Sequence, residues 1–262
     1  MKSYLFLLPL LLFACQKPKP VDTELKVLGH RGGGIQYGFI ENTPESAQFG
    51  LTHSEGIEID LRLSLDGKWM VWHDDVLINA QKDSFRISET KAENILGKTF
   101  WSGDSLVQIL SLDQFLNQVP LEGKTISLDV KWWGRRPNTW YTDEDIEIGI
   151  QNLETLLPSH SANFLLEIDH RKFHEKLEGK IPGLKRYFIE FSNLEAGLKR
   201  VKDWGLDGLS VNYMAQGISK KAIEKANQEG IEIMLWTPKD SLSLEEVINL
   251  SPNYIQTDYF FQ

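Results

Sequence analysis

The stretch GIEIDLRLSLDGKWMVWHD, residues 56–74, is where the architecture is decided. Residues 55–65 alternate as a strand does, Asp66-Gly67 is a hairpin-turn pair, and Trp69 to His73 reads as the returning arm. A return arm adds nothing to the count of main strands. The remaining strand patterns are then eight: residues 26–29, 55–65, 125–131, 163–169, 186–191, 208–213, 231–236 and 254–257. Helical patterns lie between them at 143–157, 194–204 and 219–229. Thr43-Pro44-Glu45 supplies an N-cap, a first-turn proline and a first-turn acid, which start a helix running to about Ser54. Strands alternating with helices pair in parallel, and eight such units close into an α/β (β/α)8 TIM barrel. A doubly wound open sheet is the rival, but GHRGGG at 29–34 does not place its glycines in the G-x-G-x-x-G register. The expected fold is therefore a TIM barrel with a β-hairpin extension. A small, polar, irregular insertion follows the second strand, at about 74–111.

The chain has 262 residues, 41% hydrophobic and 25% charged, which is ample for one large barrel. Its formal net charge is -9 and it has no basic block, so broad binding of nucleic acid through phosphate neutralisation is excluded. A local Arg or Lys can still grip a single phosphate. No protein partner is indicated. The first residues stand apart from the barrel: Lys2 precedes an apolar run, Tyr4 to Ala14, too short for a comfortable membrane span. The run ends at Leu12-Phe13-Ala14-Cys15, which resembles the lipobox of bacterial lipoproteins, whose cysteine carries lipid and becomes the first mature residue. On that reading residues 1–15 are a signal peptide with its lipidation site, residues 16–24 a tether, and residues 25–262 the barrel. The protein is then exported and lipid-anchored to the cell envelope, on the periplasmic or outer-membrane side, because Gln16 is not the Asp that retains such proteins at the inner membrane. A plain secretory signal or an uncleaved anchor is the alternative. Cys15 is the single cysteine, which leaves the barrel without a thiol for disulfides, catalysis or zinc.

Barrel active sites lie at the C-terminal mouth of the strands. His30 and Arg31 follow the first strand directly and so belong there. Glu58 and Asp60, two residues apart, face the same side, while Ile57, Ile59 and Leu61 face the helices. The hairpin carries His73 back to about the level of Asp60 and Leu61, near the carboxylates and across from His30. Two histidines converging on one mouth read as an acid and a base. Asp129 and Lys131 on the third strand are again co-facial. Glu58, Asp60 and Asp129 without cysteine describe a hard-cation site, for Mg2+ or Ca2+. Arg31 and Lys131 beside such a cation suit an anionic phosphoryl group.

The residues taken together resemble the glycerophosphodiester phosphodiesterase family. His30-Arg31-Gly32, Glu41-Asn42-Thr43, Glu58-x-Asp60, Asp66-Gly67 and His73-Asp74 occur in that family's order. Ser127-Leu128-Asp129-Val130-Lys131 is similar to its L-E-I-K strand, Leu235-Trp236-Thr237-Pro238 to W-T-V-N, and Ile255-Gln256-Thr257-Asp258 to a final I-T-D, so the likeness spans residues 27–258. The resemblance implies metal-dependent hydrolysis of glycerophosphodiesters to an alcohol and sn-glycerol 3-phosphate. It implies His30 and His73 as the acid-base pair, Glu58, Asp60 and Asp129 as metal ligands, and Arg31 and Lys131 on the phosphate. Glu41, Asn42 and Trp236 join the substrate-binding set, with Glu41 and Asn42 expected to support the rim through hydrogen bonds near the metal. The glycines after Arg31 are expected to keep the rim low for substrate.

Some positions depart from the pattern. Asp129 stands where the family has Glu, as in related sphingomyelinase D-type phospholipases, which keeps a phospholipase D-like action on lysolipids or sphingolipids open. A non-catalytic phosphate- or head-group-binding lipoprotein is the reading from another class. Pro238-Lys239 replaces Val-Asn, and Tyr259 replaces Arg. Trp132 to Pro137 is an aromatic and basic loop that either binds a head group or caps the barrel. His170 and His174 have the spacing of a helical metal pair but lack its other signals, and they read as a solvated helix face. Water or a neighbouring substrate hydroxyl can be the nucleophile, and either histidine the acid.

Overall fold

The computed structural model describes residues 24–136 and 139–261, so residues 1–23, with the signal peptide and Cys15 expected there, lie outside the described residues. Eight parallel strands form the barrel: Lys26–Gly29, Gly56–Leu63, Thr125–Val130, Asn163–Glu167, Lys185–Glu190, Gly208–Asn212, Glu232–Trp236 and Tyr254–Thr257. Closure is made by the first strand, which pairs with the eighth at Lys26↔Tyr254 and with the second at Leu28↔Gly56. Seven α-helices are present among the described residues. Two of them were not among the patterns singled out above: Leu112–Leu116 and Ser241–Asn249. They are short, and a run of five to nine residues shows hardly two turns of periodicity. No helix of the described residues is long and apolar enough to cross a membrane.

The hairpin is built as expected. Trp69–Val71 lies antiparallel on the second strand with Leu61 opposite Val71 and Leu63 opposite Trp69. The turn is one residue longer than a tight Asp-Gly pair. Ser64 N–H donates to Lys68 O at 2.9 Å, and Gly67 takes φ 78°, so Leu65-Asp66-Gly67 is a three-residue loop ending in a left-handed glycine. The second strand therefore stops at Leu63.

The insertion differs from expectation. It is neither irregular nor simply polar, because two antiparallel ribbons, Val76–Ile78 with Ser84–Arg86 and Thr99–Ser102 with Ser105–Gln108, fold over a core of their own. Leu77, Ile87, Ile95 and Phe100 are buried there with Met70 and Trp72 from the return arm. Its strands are three or four residues long, too short to show alternation, and its core residues lie too far apart in sequence to form a pattern.

Inward-facing residues of the barrel stack in layers. At the bottom Leu28, Leu165, Tyr187, Met234 and Tyr254 form an apolar plug. Above it Glu167 accepts hydrogen bonds from Ser127, Ser210 and Gln256. Above that, at the strand ends, lie Glu58, Asp60 and Asp129. Outward-facing Ile57, Ile59, Leu61, Ile126 and Leu128 pack under the helices with Leu51 and Phe115.

Candidate active site

The loop after the first strand is shaped by backbone conformation. Arg31 has φ 50° and Gly32 φ 90°, and a Cβ on Gly32 would lie 2.8 Å from Ser46 Oγ and 2.9 Å from Ala47 N. The glycine therefore lets the loop press onto the helix Pro44–His53. This corrects the expectation for the glycines: Gly32, Gly33 and Gly34 are buried against protein atoms and do not border the substrate space. Turned this way, Arg31 gives its backbone N–H to Glu58 Oε2 at 2.8 Å and its Nη1 to Glu41 Oε2 at 2.6 Å, and its Nε lies 3.3 Å from Asp60 Oδ2.

Asn42 clamps Asp60 reciprocally. Its Nδ2 donates to Asp60 Oδ2 at 2.8 Å, and Asp60 N–H donates to Asn42 Oδ1 at 3.0 Å. Glu41 and Asn42 thus take the supporting role expected of them, through hydrogen bonds to Arg31 and Asp60, and neither lines the cavity. Lys131 reaches both neighbouring carboxylates: Nζ donates to Asp129 Oδ2 and lies 3.0 Å from Asp60 Oδ1.

Glu58, Asp60 and Asp129 each offer an oxygen, and these ligand atoms all lie within 4.8 Å of one another. Glu58 Oε1 and Asp129 Oδ1 are buried without a hydrogen-bond partner; Asp60 Oδ1 has Lys131 beside it but no donor aimed at it. Three carboxylates with ligand atoms gathered this closely, two of them carrying a buried oxygen without a partner, fit a hard divalent cation. The charges respond accordingly. Burial, then Asp60 and Asp129, push Glu58 well above the usual carboxylate range. Burial and the neighbouring Asp60 raise Asp129 against the pull of Lys131. For Asp60 burial is overcome by Lys131, Arg31 and the two histidines, and it is held below the usual range. Burial opposes the charge on Arg31 and Lys131, but the surrounding carboxylates keep both firmly protonated.

Both histidines are oriented by an aspartate. His30 Nδ1 hydrogen-bonds Asp258 Oδ1 at 2.7 Å, which directs Nε2 into the site, 3.9 Å from Glu58 Oε2. His73 Nδ1 hydrogen-bonds Asp74 Oδ1 at 2.8 Å. Asp258 was visible only as a motif letter, and its partnership with His30 across 228 residues had no local signal. A second residue without one is Arg62, inward-facing after Glu58 and Asp60. Its Nε donates to His73 O at 2.6 Å and its Nη1 reaches Lys131 O at 3.5 Å, tying the hairpin arm to the third strand.

These groups open into one cavity of about 760 Å³, lined by His30, Arg31, His73, Asp129, Lys131 and Trp236 among others. Outside it lie two features singled out in the sequence. Trp132 is buried, donates Nε1 to Asp169 Oδ1 at 2.7 Å and packs on His170, so its ring braces the barrel end. The side chains of residues 133–137 lie outside the described residues. His170 and His174 do not form a solvated face: His170 caps the helix Arg171–Leu177 by accepting from Phe173 N–H, and His174 is buried with Nε2 against Ile168 O at 2.9 Å. The helix runs between strands and packs its fourth residue inward.

The barrel has several solved counterparts. A glycerophosphodiester phosphodiesterase from Thermotoga maritima is 22% identical with a TM-score of 0.66, covering 90% of this chain and 95% of that one. An Oleispira antarctica phosphodiesterase, solved with the product sn-glycerol-3-phosphate, is 19% identical with a TM-score of 0.71, covering 89% and 93%. A glycerophosphodiester phosphodiesterase from Parabacteroides distasonis is 19% identical with a TM-score of 0.65, covering 89% and 92%. At these identities the likeness is one of fold. No curated protein matches the chain. The sequence itself matches the model of the glycerophosphoryl diester phosphodiesterase family over residues 30–260, nearly the whole described barrel. With that match over most of the chain, and with acids and cations gathered at the barrel mouth, the chain belongs to the glycerophosphoryl diester phosphodiesterase family and is a phosphodiesterase.

Proposed function

We propose that the protein hydrolyses glycerophosphodiesters to an alcohol and sn-glycerol 3-phosphate with a divalent cation, Mg2+ or Ca2+, and with His30 and His73 as the acid-base pair. One observation carries the reading: a cluster of three carboxylates lies against the cavity whose lining holds Asp129, the cations Arg31 and Lys131 and the two aspartate-oriented imidazoles. Glu58, Asp60 and Asp129 would hold the cation, which when bound supplies Lewis-acid stabilisation of the phosphoryl charge. Arg31 and Lys131 hold the phosphate oxygens, and Asn42 and Glu41 keep Asp60 and Arg31 in place. One histidine takes the proton of the attacking water as the new P–O bond forms. The other gives its proton to the alcohol oxygen as the old P–O bond breaks. The Oleispira antarctica relative, solved with sn-glycerol-3-phosphate, supports the product class.

The test is incubation with glycerophosphocholine in Mg2+, Ca2+ or EDTA, with products identified by mass. Cation-dependent sn-glycerol 3-phosphate is expected, lost in His30→Ala and His73→Ala at an unchanged melting temperature. Wild-type turnover in either variant removes that histidine from catalysis. Cys15 within its lipobox supports a lipid anchor at the cell envelope. Labelled fatty acid should enter the wild type and not Cys15→Ser; equal labelling would refute the anchor.

A further inference from the structure

Beyond its phosphate end the cavity opens onto an apolar rim. Phe191 follows the fifth strand, Met214 the sixth, and Trp236 ends the seventh; all three line the cavity that holds His30, Arg31 and Lys131. Phe191 is 61% exposed and Met214 73%, which makes them two of the three most exposed large apolar side chains among the described residues. The third, Leu242 at 67%, lies between Asp240 and Ser243, which line the same cavity. Phe191 and Trp236 meet edge to face with ring centroids 5.3 Å apart, giving a stiff wall. Single exposed apolar residues are ordinary, but several sharing the mouth of one polar site are not.

A bare glycerophosphodiester has nothing apolar to lay against this surface. The rim is open on its solvent side, so it is a ledge for a chain and not a closed box for an ammonium group. Lys239 and Asp240, both exposed on the same rim, offset each other, so the rim carries no net charge to hold a charged group in place of a chain. We propose that Phe191, Met214 and Trp236 form a subsite for the alkyl or acyl chain of a single-chain amphiphilic phosphodiester whose phosphate lies at Arg31 and Lys131. This rests on the reading of the phosphate end given above. Full burial of a methylene is worth about fourfold in affinity, and a one-sided ledge should return about twofold.

The experiment is calorimetric titration of the full chain with n-alkyl phosphates from butyl to dodecyl, each below its aggregation concentration. Affinity should rise about twofold per methylene, with the gain per methylene reduced toward none in Phe191→Ser and Met214→Ser. Both side chains are exposed, so the variants should keep the wild-type melt. A flat series, or an undiminished slope in both variants, overturns the subsite. Turnover of monoacyl glycerophosphocholines of matching chain length is followed in parallel. Chain-dependent binding without turnover would remove the hydrolase reading and leave the subsite standing. Turnover with flat binding would do the reverse. Phosphocholine binding lost in Phe191→Ser, with a flat alkyl series, would give the ledge to a quaternary ammonium and overturn the proposal.

Discussion

Glu167 sits one layer beneath the metal-type carboxylates, 1% exposed, with Ser127, Ser210 and Gln256 donating to it. Burial and then nearby Asp129 push it up from 4.5 to about 7. A carboxyl raised in the folded state binds its proton more tightly there than in the unfolded chain. Its contribution is therefore complete below the unfolded value and is lost as pH rises through about 7. In denaturant titrations in metal-free buffer, Glu167 should account for on the order of 3 kcal/mol of the stability lost between those values, with the raised Glu58 and Asp129 adding to the loss. Glu167→Gln should reduce that loss; an unchanged slope would place the titration elsewhere. Asp129 differs from Glu167 in having an oxygen with no partner. Removing it with Asp129→Ala should weaken Mg2+ or Ca2+ binding by at least roughly tenfold in a direct titration, since one of three ligands is gone. An equal affinity would exclude Asp129 from the cation site.

At the scale of elements, the hairpin arm and the third strand are held in register by one side chain. Arg62 is 3% exposed and spends its guanidinium on the carbonyls of His73 and Lys131. Arg62→Met keeps the length of the side chain and removes the donors. It should lower turnover roughly 10- to 100-fold by letting His73 and Lys131 shift. Binding of the cation should survive, because neither Glu58, Asp60 nor Asp129 depends on Arg62 for a hydrogen bond among the described residues. A variant with wild-type kcat would show that the two elements keep register without it. The hairpin itself was legible because Asp66-Gly67 is a local signal. Arg62 was not, since nothing in L-R-L reveals which carbonyls lie across the sheet. The insertion was misread for the same reason: Leu77, Ile87, Ile95 and Phe100 meet only after two ribbons fold back.

For the whole molecule, the unfolded chain has no site that gathers Glu58, Asp60 and Asp129 from two strands, so cation binding should stabilise the fold. Thermal melts are expected to rise with Mg2+ or Ca2+ and to return with EDTA. The rise should be larger at higher pH, because Glu58 and Asp129, both held above the usual carboxylate range, must release protons to bind a cation. A melt indifferent to both ions would contradict a cation site. By itself the sequence determined the barrel, through eight strand patterns and a hairpin turn, and the inward carboxylates, through the two-residue period of a strand. These are local regularities, and steric periodicity makes them readable. Only the tertiary structure decided that Asp258 orients His30, that Asn42 clamps Asp60, that His174 is buried, and that Phe191 and Met214 border the site. Asp258 reaches His30, and Phe191 and Met214 reach the phosphate end, only because segments distant in sequence meet at the mouth of the barrel, and the closure of eight strands supplies that geometry.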